Sequence, residues 1–253
     1  MNIAYQNNVV IKLYNNSLEL IVPIGEKLDA LIVNNPHEDY IVISYDLLKR
    51  IKGNLEILRA IPVNENSVVA VRLITRSIFA DLIEGIFLLT KESYDELTKV
   101  LNIIDYQYVK SIKDFLKGRN ELYNFDRASK GEKKINENEY LAEFNEKYKE
   151  FGKTGNITIS CMAQEIEKLN HIELSVLKYL YTEYRVLSQS EHYCRENRKF
   201  SYCFENDMFI LQHAKVINHT IKIFIQIILV WIEHKEFKMS YFEENWSNLQ
   251  KNP

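Results

Sequence analysis

Glycine and proline are scarce, seven and four in 253 residues. β-Sandwiches and α/β folds spend more of both on turns, so long helices are the default reading. Cysteine is nearly absent as well. Cys161, Cys194 and Cys203 are odd in number, far apart and without a C-x-x-C pair, which argues against a disulfide frame or a structural zinc site. There is no excess of positive charge: the formal net charge is −3, so the chain as a whole is not an electrostatic nucleic-acid binder, and a local patch stays open. No glycine-rich phosphate loop and no serine in a nucleophile elbow occur. The richest apolar window, Ile221 to Ile232, is interrupted by Lys222 and Gln226 and is shorter than the ~20 residues a bilayer requires. Met1 to Gln6 carry no basic stretch leading into an apolar run, so no secretory signal is read. The expectation is a cytoplasmic protein without a membrane span or cofactor.

What is present is helical periodicity. Residues 36–253 read as an all-α helical bundle, and residues 1–35 as a small N-terminal appendage. There the runs Val9–Tyr14 and Leu18–Val22 flank Asn15-Asn16 and suggest a β-hairpin, with a short helix before Pro23 as the alternative. Tyr40, Ile43, Leu47, Leu48, Ile51, Leu55 and Leu58 mark the first bundle helix. Ser67 reads as the N-cap of a second, from Val68 to Thr90, that is apolar almost all round and belongs inside the bundle. Its polar residues fall into a pair, Arg72 and Arg76, and a stripe, Ser77, Asp81 and Glu84. A third helix covers roughly 92–117, with Gly118 as its stop. From Lys110 to Lys134 eight Lys or Arg face four Asp or Glu, which reads as a solvated face before it reads as a nucleic-acid contact. Tyr140, Phe144, Tyr148 and Phe151 form a narrow aromatic stripe. The last long helix, about Glu205 to Phe237, has Phe209, Val216, Ile217, Ile221, Phe224, Ile228 and Ile232 as core, and Tyr241, Phe242 and Trp246 dock the tail.

The most chemically suggestive stretch is Tyr184 to His192. At ~100° per residue, positions seven apart share a helix face. Tyr181, Arg185, Ser188 and His192 therefore form one column at the border of a core face made by Val176, Leu177, Leu180, Tyr184 and Leu187. Arginine grips phosphate oxygens in a charge-assisted fork, and a histidine near neutral pKa moves protons at a ribose hydroxyl or a leaving oxygen. Such chemistry needs no metal. The bland alternative is structural: His192 caps its own helix and Arg185 pairs with Asp81 or Glu84 across the bundle. A basic loop with Arg195, Arg198 and Lys199 follows and would meet RNA phosphates.

Arg185-x6-His192 at the end of a bundle helix resembles the R-x4–6-H signature of the HEPN superfamily (higher eukaryotes and prokaryotes nucleotide-binding). That resemblance implies an all-helical, dimeric domain, with metal-independent RNA cleavage and a toxin–antitoxin or phage-defence setting, and hence an antitoxin or defence protein as partner. A longer stretch, roughly 65–235, resembles a family of uncharacterised bacterial helical proteins. It carries Leu73-Ile74-Thr75-Arg76-Ser77 with Asp81 and Glu84, then Tyr184-Arg185-Val186-Leu187-Ser188 and His192. By this likeness Arg185 binds phosphate, His192 does acid/base work with Ser188 beside it, and Arg76, Asp81, Glu84 and Tyr181 support them. The chain departs from the HEPN pattern where Val186 follows the arginine and where Cys194, not a tyrosine, stands two residues after the histidine. The competing expectation is a non-catalytic protein-interaction module using an apolar helix face or the Tyr140–Phe151 stripe.

Overall fold

The computed structural model describes residues 3–62, 67–149, 155–169, 176–189 and 207–251. Among them every regular element is helical: α1 (Ile3–Asn34), α2 (Asp39–Ala60), α3 (Val68–Leu89), α4 (Tyr94–Ser129), α5 (Glu137–Tyr140), α6 (Ala142–Lys147), α7 (Ile159–Glu167), α8 (Leu177–Gln189), α9 (Asp207–His234) and α10 (Met239–Lys251). The chain divides into two compact units, residues 1–97 with 158–253, and residues 98–157.

The first unit is a bundle in which α1 lies along α2 and α9, and α3 packs on α2, α7, α8 and α9. The hairpin expectation is corrected here. Residues 3–34 form one helix with Pro23 inside it, and that helix is part of the bundle wall rather than an appendage. Val10, Tyr14, Ser17, Leu18, Ile21 and Leu28 are all buried, a 3.6-residue pattern that runs straight through the Asn15-Asn16 pair. Ser17 fits the helix by donating its hydroxyl to the Leu13 carbonyl (3.0 Å) and accepting from Asn218 Nδ2 (2.9 Å), so α1 is keyed to α9 through buried polar atoms. β-Branched residues and Asn lower helix propensity by only tenths of a kcal/mol each, and tertiary burial outweighs that.

α3 and α9 are the centre. Ile78, Phe79, Leu82, Ile83 and Ile86 of α3 and Ile217, Ile221, Phe224, Ile227 and Ile228 of α9 are almost wholly buried. By length and composition Phe209–His234 is apolar enough to cross a bilayer, a longer span than the Ile221–Ile232 window suggests, and 67% of its most apolar window is buried in the bundle. Its seam is polar at Lys215 and Lys222, which are exposed, while Gln226 is buried. The helix ends at Lys235, whose left-handed backbone (φ 57°) turns the chain. Ser67 stands at the N-cap position of α3, but its hydroxyl bonds the Pro62 carbonyl and makes no cap bond to the helix. The tail docks as expected, with Phe242 and Trp246 buried.

In the second unit α4 runs on past Gly118 to Ser129, eleven residues beyond the expected stop. A glycine inside a helix costs about 1 kcal/mol relative to alanine, which the continuing pattern absorbs. The real terminator is Gly131, at φ 73°, with the Glu132 amide returning to the Arg127 carbonyl at 2.9 Å. Asn124 then clamps the returning strand of chain: its amide nitrogen donates to the Ile135 carbonyl and its oxygen accepts from the Ile135 amide, both at 2.8 Å.

Candidate functional site

On α8, Leu177, Leu180 and Leu187 are buried and set which side faces α3 and α7. That fixes the rest of the helix. Tyr181 and Tyr184 are half-buried and their rings stack at 6.3 Å, 19° from parallel. Arg185 is exposed, and its guanidinium carbon lies 5.8 Å from the Tyr181 ring centre. From α3, Arg76 reaches the other ring, 5.2 Å from the Tyr184 centre, and donates to the Tyr184 hydroxyl at 3.3 Å. The result is a row of cation, ring, ring, cation, Arg76–Tyr184–Tyr181–Arg185, built from residues more than a hundred positions apart. Each contact is of the cation–π or stacked type.

Ser188 is engaged locally, its hydroxyl donating to the Tyr184 carbonyl at 2.8 Å. The fourth member of the column, His192, lies outside the described residues, as do Arg195, Arg198 and Lys199. Phe151 of the aromatic stripe lies outside them too. Of the rest of that stripe, Phe144 and Tyr148 contact each other, ring centres 4.7 Å apart.

Asp81 and Glu84 face α2, not α8. Arg50 pairs with Asp81 in a very short contact and with Glu84 at 3.5 Å, and Asn54 bonds Ser77 at 3.3 Å just beside them. The acidic stripe read from the sequence is therefore the α3 half of a polar seam with α2. Burial pushes the Asp81 carboxyl up to about 6, against the pull of Arg50, whose side chain is 55% exposed and so largely screened by water. The folded chain holds this proton more tightly than the unfolded chain, so the contribution of Asp81 to stability is largest below pH 4 and falls as pH rises through 6. Asp81→Asn is expected to stabilise the fold at pH 7, by about 3 kcal/mol at most and seen as a higher Tm, and to flatten the pH dependence between 4 and 6. Thermal melts of both proteins across that range check it; a lower Tm for Asp81→Asn at pH 7 would mean that the Arg50 pair wins.

One pair escaped the sequence reading. His213 of α9 is 3% exposed and its Nε2 lies 2.7 Å from Glu183 Oε2 on α8, with Phe209 and Phe79 edge-on at 3.9 and 5.6 Å. The signal was present: Glu183 shares the face of Leu180 and Leu187, and a carboxylate on a core-facing stripe needs a buried partner. Beside His213 lies a small void walled also by Arg72, Thr75 and Leu187, with about 10 Å³ of free space. That holds one water at most, so the pair is a strut between α8 and α9 rather than a group a substrate can reach. Among the described residues no three His, Cys, Asp or Glu side chains converge as metal ligands. Comparison of the chain with protein-family models, with curated proteins and with solved structures returns no match.

Proposed function

We propose that the chain is a HEPN-like helical effector that binds RNA and cleaves it without a metal. The observation that carries this reading is the Arg76–Tyr184–Tyr181–Arg185 row. Single-stranded RNA is held by arginines on its phosphates and by aromatic rings against its bases, and such contacts tolerate many sequences. In this reading Arg185 grips the phosphodiester and Tyr181 offers its ring. Arg76 positions Tyr184 and, through the ring stack, Tyr181. His192, seven positions beyond Arg185 in the sequence, moves the proton, with the Ser188 oxygen free to accept a hydrogen bond. Arg195, Arg198 and Lys199 add phosphate contacts. Asp81 and Glu84, turned toward Arg50, take no part. A second copy of the chain and an antitoxin or defence protein are its proposed partners, in the cytoplasm.

Binding to a labelled single-stranded RNA, followed by fluorescence anisotropy at several salt concentrations, tests the first half. Arg185→Ala is expected to weaken binding about tenfold across unrelated sequences and to reduce the salt slope by about one. Absence of binding by the wild type, or an unchanged slope in the variant, contradicts it.

The alternative, a non-catalytic interaction module, is favoured by an apolar helix face. On α4, Tyr108, Phe115, Leu122 and Phe125 are 67, 64, 73 and 78% exposed. The first three recur every seven residues, a stripe of the kind that covers another protein. A stability loss in Arg185→Ala with RNA binding intact would move the assignment to this reading.

A further inference from the structure

In the second unit α4 has two opposite sides. One is marked by buried Val109 and Asn120, and it holds the returning chain through Asn124 and through the Lys117–Glu137 pair at 3.2 Å. The other side is open. Tyr108, Phe115 and Leu122 stand on it at seven-residue spacing, with Phe125 three positions further on, and each has most of its surface exposed. Between these large side chains are two small residues, exposed Ser111 and half-buried Gly118, where an added Cβ would meet nothing within 4 Å. The same spacing runs back to half-buried Ile104 and Leu101. The face is a heptad seam in which one position is always large and the other is small at its middle.

We infer that this face docks on the same face of a second copy of the chain, with the two α4 helices antiparallel about a two-fold axis level with Lys113. In that register Tyr108 lies over Gly118 of the other copy and Phe115 over Ser111, so each ring enters a gap. Leu122 meets Ile104, and Phe125 meets Leu101. A parallel pair would instead set Phe115 on Phe115 and Gly118 on Gly118, alternating crowded layers with voids. Charge agrees with the antiparallel register. Exposed Arg119, whose guanidinium carbon lies 5.9 Å from its own Phe115 ring centre, comes beside Asp105 of the other copy, and symmetry makes that pair twice. Asp114 meets its own copy at the axis, and Lys110 of each chain lies one turn away to offset the repulsion. The four large side chains offer about 500 Å² per copy, so pairing removes about 1,000 Å² from water, the lower limit for a specific interface. A self-complementary face of that size suits a symmetric pair that forms at about micromolar concentration. This gives the second copy proposed above a docking surface. The pairing does not require RNA cleavage, and its test reads mass rather than activity.

Sedimentation velocity of the full chain between about 1 and 100 µM tests this. A monomer–dimer equilibrium is expected. Phe115→Lys is expected to leave the Tm of the dilute monomer unchanged and to weaken the dimer by about tenfold or more. Gly118→Leu separates folding from pairing. It puts a better helix former into open space, so the Tm of the dilute monomer rises, yet it fills the seat of Tyr108 and weakens the dimer by about fivefold or more. Arg119→Asp is expected to weaken the dimer by about threefold, and adding Asp105→Arg to the same chain to restore it. A chain that stays monomeric at about 100 µM would overturn the assignment and leave the face to a different protein. So would a dimer undisturbed by Phe115→Lys or strengthened by Gly118→Leu. Failure of the charge exchange to restore pairing would overturn the antiparallel register.

Discussion

Trp231→Ala is expected to remove about 4–5 kcal/mol of stability, the largest loss from any single truncation in the bundle. Trp231 is wholly buried in α9, its ring stacks on Tyr40 of α2 at 5.3 Å, and its indole N–H donates to the Leu89 carbonyl. That carbonyl belongs to the last turn of α3, where the helix itself supplies no partner. One side chain therefore fills the core, caps α3 from another helix and fixes α2 against both. Truncation leaves a cavity and an unpaired buried carbonyl, two costs that add. Trp231→Phe separates them: it keeps most of the volume and is expected to lose about 1–3 kcal/mol, chiefly from the orphaned carbonyl. Urea unfolding followed by circular dichroism checks both. A loss below about 1.5 kcal/mol in Trp231→Ala would place the centre of the core elsewhere.

The second large effect runs against helix propensity. Gly85 lies inside α3, and Gly→Ala inside a helix ordinarily stabilises by about 1 kcal/mol. Here a Cβ would sit 2.5 Å from Phe224 Cζ, 2.6 Å from Phe224 Cε2 and 3.0 Å from Leu47 Cδ1. Phe224 is itself fully buried and its ring cannot swing aside without displacing neighbours. Gly85→Ala is therefore expected to destabilise by about 1–3 kcal/mol. The cause is specific, so it is reversible: Phe224→Leu in the same chain should recover much of the loss, giving a coupling of about 1 kcal/mol or more in a double-mutant cycle. Additive effects of the two changes would show that the glycine serves some purpose other than close approach of α3 and α9.

These two positions also show what the sequence could and could not reveal. The apolar spacing of α2, α3 and α9 is regular enough that their buried faces follow from it, because each helix must bury a stripe and few breakers interrupt the pattern. Gly85 reads only as a gap in such a stripe; its role depends on a phenylalanine 139 positions away. The same holds for Asp81 and Glu84. Spacing put them on one face of α3, but whether that face met Arg50 or Arg185 was decided by the packing of α2 against α3. In α1 the local cues, β-branched residues around an Asn pair, pointed away from the helix that tertiary burial stabilises. Gly118 misled in the opposite sense, since a mid-helix glycine and a helix stop look alike until the backbone shows that only Gly131 has positive φ among the glycines described. The column of Tyr181, Arg185 and Ser188 was legible, whereas the contact of Arg76 with Tyr184 beside it was not.

Whether that column acts on RNA is read from cleavage. Purified chain should be incubated with tRNA and total RNA in the presence of EDTA, beside His192→Ala and Arg185→Ala. Cleavage by the wild type that persists in chelator and falls at least a hundredfold in His192→Ala, with both variants folded, is the expected result. Equal cleavage by wild type and His192→Ala, or none by either, would contradict it.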